Sequence, residues 1–138
     1  MPDNIYGSVE DVLHLTGLRA SDFSLEDDPE EEEEGKTADE KLEGMIYKWL
    51  VEIKDMIDHI KNRDYHEEGE VPPGIHGIAN RVASNMGAVA ILRRETPIVK
   101  NEDFSISVTD DRVFTSAIRN DLAVYPSKPR FSLKVVHS

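Results

Sequence analysis

Nine apolar residues at three- and four-residue spacing, Leu42, Met45, Ile46, Trp49, Leu50, Ile53, Met56, Ile57 and Ile60, constrain this chain more than any other feature. That spacing paints one face of an α-helix. Thr37-Ala38-Asp39-Glu40 stands at its start as a capping box, with Thr37 as the cap and Glu40 three residues on. The pattern predicts a helix from about residue 38 to 62, ~37 Å long at 1.5 Å per residue. The opposite face carries Lys48, Glu52, Lys54, Asp55 and Lys61 and reads as solvated. So long an apolar face is expected to leave surface for another element or a neighbouring subunit.

Just before this helix lies Glu26-Asp27-Asp28-Pro29-Glu30-Glu31-Glu32-Glu33-Glu34. Adjacent like charges repel and the run has nothing apolar to bury, so residues 26–36 are expected to form a flexible, solvated acidic loop. Without its eight acidic residues the formal net charge of −12 becomes −4, so the remainder is close to charge-balanced. At 138 residues the chain suits a single domain. There is no cysteine, which excludes disulfide scaffolds, thiolate zinc sites and cysteine nucleophiles. No apolar stretch approaches the ~20 residues that span a bilayer, and Met1-Pro2-Asp3-Asn4 lacks the character of a signal peptide. A cytosolic or particle-assembled setting is the expectation.

The other elements are shorter. Ser8 caps a first helix whose stripe is Val9, Val12 and Leu13, and Gly17 fits its left-handed close. Leu18, Phe23 and Leu25 lead into the acidic loop. Val71-Pro72-Pro73-Gly74 opens a third helix with a narrow stripe of Ile75, Ile78, Ala79, Val82, Met86, Val89 and Ala90, ended by Pro97. Its small residues Gly77, Ala83, Gly87 and Ala88 predict close approach by another backbone. The period then switches to two: Phe104, Ile106 and Val108 alternate with polar residues, Asp110-Asp111 reads as a turn, and Arg112-Val113-Phe114 can pair back as a β-hairpin. Phe114, Ile118, Leu122 and Tyr125 mark one side of a fourth helix closed by Pro126 and Pro129. The fold class expected is mainly α, a small bundle of about four helices with a short β-hairpin and an extended C-terminal arm over residues 126–138.

Chemistry is thinly represented. The five histidines, His14, His59, His66, His76 and His137, form no HExxH-like pair. Asp55 and His59 share a helix face, which reads as a surface contact worth a few tenths of a kcal/mol. No serine occupies a Gly-x-Ser-x-Gly elbow, and the acidic run lacks the ligand spacing and turn glycine of a calcium loop. Gly74-Ile75-His76-Gly77 matches the GXXG loop of KH modules, but without a basic residue between the glycines. No catalytic residue, cofactor site or metal site is assigned, and an enzyme is not expected. The alternating C-terminal segment is either a last strand or a strand offered to another protein.

The order of these parts resembles the head–tail connector (adaptor) proteins of long-tailed bacteriophages. It is carried by the Ser8-Val9-Glu10-Asp11-Val12 helix, the long amphipathic helix, the segment from Val71 to Met86, Asp103-Phe104-Ser105-Ile106-Ser107-Val108 and the capped helix ending before Tyr125. The resemblance runs from about Tyr6 to the end, and the acidic loop departs from it. It implies a structural virion protein that assembles as a homo-oligomer, a dodecameric ring, between the portal protein and a tail or stopper protein. Such a ring extends the DNA channel, completes the head and lets DNA pass without specific binding. It also implies a virion location at the head–tail interface, reached from the host cytoplasm, with no membrane partner.

Carried onto this chain, the resemblance makes Arg130, Phe131, Ser132, Leu133, Lys134, Val135, Val136 and His137 the portal-facing arm. It makes Asp103, Phe104, Ile106, Val108, Asp110, Asp111 and Arg112 the hairpin that meets the component below. A ring protomer needs no active site, and a DNA conduit gains from a modestly negative protein, because lysines and arginines on phosphate would slow transit. The alternative is an acidic phage-encoded regulator or DNA mimic that binds a host protein through the run at 26–34.

Overall fold

The computed structural model describes residues 4–23, 25, 27, 37–93 and 107–128. Four α-helices dominate them: α1 (Val9–Thr16), α2 (Ala38–Lys61), α3 (Pro73–Arg93) and α4 (Ser116–Ala123). A 3-10 turn at Ala20–Phe23 follows α1. The caps of α1 and α2 lie where the sequence places them. Ser8 accepts from the Asp11 N–H at 3.0 Å, Gly17 closes α1 at φ 68°, and Thr37 and Glu40 form the reciprocal capping box of α2. Thr115 caps α4 by accepting from the Ile118 N–H at 3.2 Å. The N-terminal caps satisfy backbone donors that the first helical turn leaves without partners, and the Gly17 N–H donates to the Leu13 carbonyl at the other end of α1.

α3 is the hub, in contact with α1, α2, α4 and the 3-10 turn. Its buried residues, Ile75, Ile78, Ala79, Asn80, Val82, Ala83, Met86, Val89 and Ala90, fall on one side of the helix and contain the whole stripe that the spacing predicts, while Arg81, Ala88 and Leu92 on the other side are exposed. Trp49 and Ile53 of α2 and Val82 and Met86 of α3 share one core cluster, as the spacing predicts. Gly87 lets Leu18 approach so closely that an added Cβ would meet its Cδ1 at 2.8 Å. Gly77 has open space around it and Ala88 is exposed, and the close neighbour of Gly87 is a side chain rather than the backbone that the small residues predict. The Gly74–Gly77 segment forms the first turns of α3, which removes the loop a KH module requires.

Two expectations about α2 change. Its stripe is consumed inside the protomer: Leu42, Ile46, Trp49, Leu50, Ile53, Met56 and Ile57 are all buried against α1, α3 and the 3-10 turn. Lys54 and Lys61, read as solvated, are buried as well. Among the described residues the exposed large apolar side chains are Leu15, Val51, Leu92 and Val124. Residues 107–114 form turns, with the Asp110 N–H donating to the Ser107 carbonyl and the Val113 and Phe114 N–H groups donating to that of Asp110. Among the described residues no strand occurs, and Asp103, Phe104 and Ile106 of the expected hairpin lie outside them. No described helix is long and apolar enough to cross a membrane.

Candidate functional site

The candidate interaction site is built at the C-terminal end of α2, where an α-helix leaves its last carbonyls without intrahelical donors. Asn62 closes the helix in the left-handed conformation, φ 55°, which asparagine tolerates better than most residues. Residues 125–128 then lie across this end. The Lys128 N–H donates to the Lys61 carbonyl at 2.9 Å and so caps one of the open groups. In return the Lys61 ammonium donates to the Tyr125 carbonyl, the Arg63 Nη1 to that of Pro126 at 3.0 Å, and the Asn62 Nδ2 to that of Lys128 at 3.4 Å. Glu68 completes the clasp by accepting from Arg63 at 2.8 Å and pairing with the Lys128 Nζ at 2.9 Å. These two cations hold the Glu68 carboxyl below its ordinary range. Burial, and then the charge of Arg63, holds the Lys61 ammonium below its own.

The turn that carries this clasp is fixed from its other side by a half-buried ionic cluster. Lys54 donates to Asp58 at 2.6 Å and to Asp64 at 2.9 Å. The Tyr6 hydroxyl donates to Asp58 at 2.5 Å and accepts from the Tyr65 N–H at 3.0 Å. Burial alone would depress the Lys54 ammonium, but its two carboxylate partners outweigh that effect and raise it. Burial likewise opposes ionisation of Asp64, yet Lys54 and the backbone N–H groups of Glu67 and His66 hold its carboxyl below the ordinary range. Burial, and then the bond to Asp58, pushes the Tyr6 hydroxyl far up, so it stays a neutral donor. The segment 62–68 is therefore gripped between the cluster and residues 125–128.

Of the residues expected to meet partners, Arg130 to His137 lie outside the described residues. Val108, Asp110, Asp111 and Arg112 of the expected lower surface are described. Arg112 pairs with Asp110 at 3.2 Å, and the turn packs through Val113 and Phe114 into the core. Asp55 and His59 are both exposed. Sequence reasoning missed Lys54, Lys61 and Tyr6. Lys54 does have one visible signal, an Asp58 at i+4 on the same helix, a spacing that favours ion pairs. Lys61 and Tyr6 meet their partners across 64 and 52 residues, which no local pattern records. Among the described residues no group of three or more His, Asp or Glu side chains is placed to hold a metal ion. Comparison of the chain with family models, with curated proteins and with solved structures gives no match.

Proposed function

We propose that this chain is a structural connector of a phage head–tail interface, a ring protomer whose C-terminal segment docks on the portal. The observation that carries the reading is the clasp at the end of α2. It ties residues 125–128 to the body and gives the alternating segment that follows, Arg130 to His137, a fixed point of departure. A strand offered to a foreign sheet gains affinity from backbone hydrogen bonds and specificity from alternate side chains, here Phe131, Leu133 and Val135. Anchoring its root lowers the entropy lost on docking, and many copies around a ring add avidity. Neighbour contacts in the ring fall to exposed apolar side chains such as Leu15, Val51, Leu92 and Val124, since the apolar stripe of α2 is used inside the protomer. The reading assigns no catalytic role to any residue, and passing DNA needs no specific contact.

The test is a truncation after Lys128, which preserves every contact of the clasp. The shortened chain is expected to keep the helical circular dichroism and melting midpoint of the full chain and to lose capture by purified portal rings. A folded truncation that still saturates the portal would overturn the assignment.

A further inference from the structure

Residues 5–8 run between two histidines that come from different elements. On one side the His66 Nε2 lies 2.7 Å from the Ile5 carbonyl, and its ring stacks on Tyr6 with centroids 5.3 Å apart. On the other, the His76 Nδ1 accepts the Gly7 N–H at 2.8 Å, one turn before Asn80 accepts the Ser8 N–H at 3.0 Å. Gly7 has φ 80°, and a Cβ there would collide with the Asn80 amide, so the backbone lies flat against α3. A backbone N–H can only donate, so the His76 Nδ1 must carry a free lone pair. Protonation would place two donors face to face and remove that hydrogen bond. No other histidine contact in this segment has that property: a carbonyl accepts from an imidazole in either charge state.

From this geometry we propose that His76 is a proton-operated latch on the N-terminal segment, closed when the imidazole is neutral and released when it is charged. Release frees Gly7 and Ser8 from α3, loosens the start of α1, and withdraws Tyr6 from the Lys54–Asp58–Asp64 cluster that it covers. The groups facing His76 are Tyr6 on the segment itself, edge-on at 6.3 Å, His66 on the turn after α2, Asp11 on α1 and Asn80 on α3. Burial, and then the charge of His66, holds the His76 imidazole below the ordinary range, and Asp11 opposes them. A depressed folded-state value means that the latch contributes fully above about pH 6.5 and fades as the pH falls through the folded-state value. Function would follow wherever the protein meets mild acid or a partner that selects the released segment.

The experiment follows the Gly7 and Ser8 amides of the full chain by NMR and hydrogen exchange between about pH 7.5 and pH 5, a range in which histidine is the side chain that titrates. After correction for intrinsic exchange, protection at these two amides is expected to fall roughly tenfold relative to α2 and α3, the worth of one hydrogen bond. His76→Asn keeps an acceptor near the Nδ1 position but cannot be charged, and its Gly7 and Ser8 protection is expected to stay constant across the range. His66→Gln keeps a donor for the Ile5 carbonyl and removes one repelling charge, so its latch should open at slightly higher pH. Protection that does not change in the parent chain, or that falls equally in His76→Asn, would overturn the proposal.

Discussion

Replacing Lys54 by methionine probes the cluster that holds the post-α2 turn. Methionine matches the lysine stem in length and keeps its packing, so the change isolates the charge. Removing one partner of a fully buried ion pair costs about 3–5 kcal/mol, because the other charge is left uncompensated. The side chains of Asp58 and Asp64 remain 21% and 29% exposed, so water recovers part of that loss. Asp58 also keeps the Tyr6 hydroxyl and Asp64 keeps the backbone N–H groups of His66 and Glu67. A cost of about 2–3 kcal/mol follows, read by urea denaturation as a lower midpoint at unchanged slope. The pH dependence gives a second readout. Asp64 has a depressed folded-state pKa, so its share of the stability is complete above about pH 4 and is lost as the pH falls through the folded value. The gap between parent and Lys54→Met should therefore narrow in acid. A loss below about 0.5 kcal/mol at neutral pH, the scale of an exposed pair, would refute the reasoning.

Trp49→Ala is expected to cost about 3–5 kcal/mol, since the indole is buried in the core that α2 shares with α3, and an unchanged denaturation midpoint would contradict that burial. Gly77→Ala is expected to stabilise by up to about 1 kcal/mol, because the helix gains propensity and an added Cβ meets nothing within 4 Å, and thermal melting reads the sign directly. Deleting residues 29–34 should leave the melting midpoint unchanged, whereas Asp27→Ala should cost about 0.5 kcal/mol, because Asp27 accepts from the first helical N–H of α2, that of Ala38, at 2.6 Å.

The helices were legible from spacing, and the first two also from their caps, Ser8 with Gly17 and Thr37 with Glu40. Ser8, Gly17, Thr37 with Glu40, and Thr115 perform the local chemistry that their types favour, within three or four residues. The stripe of α2 likewise shows which face is buried. What spacing cannot convey is how much of that face the rest of the chain covers. Ile5, Tyr6, Leu18 and Phe23, scattered through loops and a 3-10 turn, help to finish the core, and this leaves α2 without the free surface that its pattern implies. Lys54 and Lys61 fall on what looks like a solvated edge; Lys54 pairs with Asp58 on its own helix, but its second partner Asp64 and the Tyr125 carbonyl that receives Lys61 reach the helix from beyond its end. The acidic run looks uniform in the sequence, yet Asp27 within it acts on the start of α2. Contacts closed over long separations, rather than local propensity, hold the turn from which the proposed arm departs.

The proposed function has the chain form a ring on a portal and dock through the segment after Lys128. Imaging of the full-length protein mixed with purified portal rings tests it most directly. The account predicts a closed ring of this protein seated on one end of the portal, with density running from the clasp at the end of α2 into the portal surface. Portals that remain bare at saturating protein, or a ring whose α2 ends face away from the portal, would contradict it.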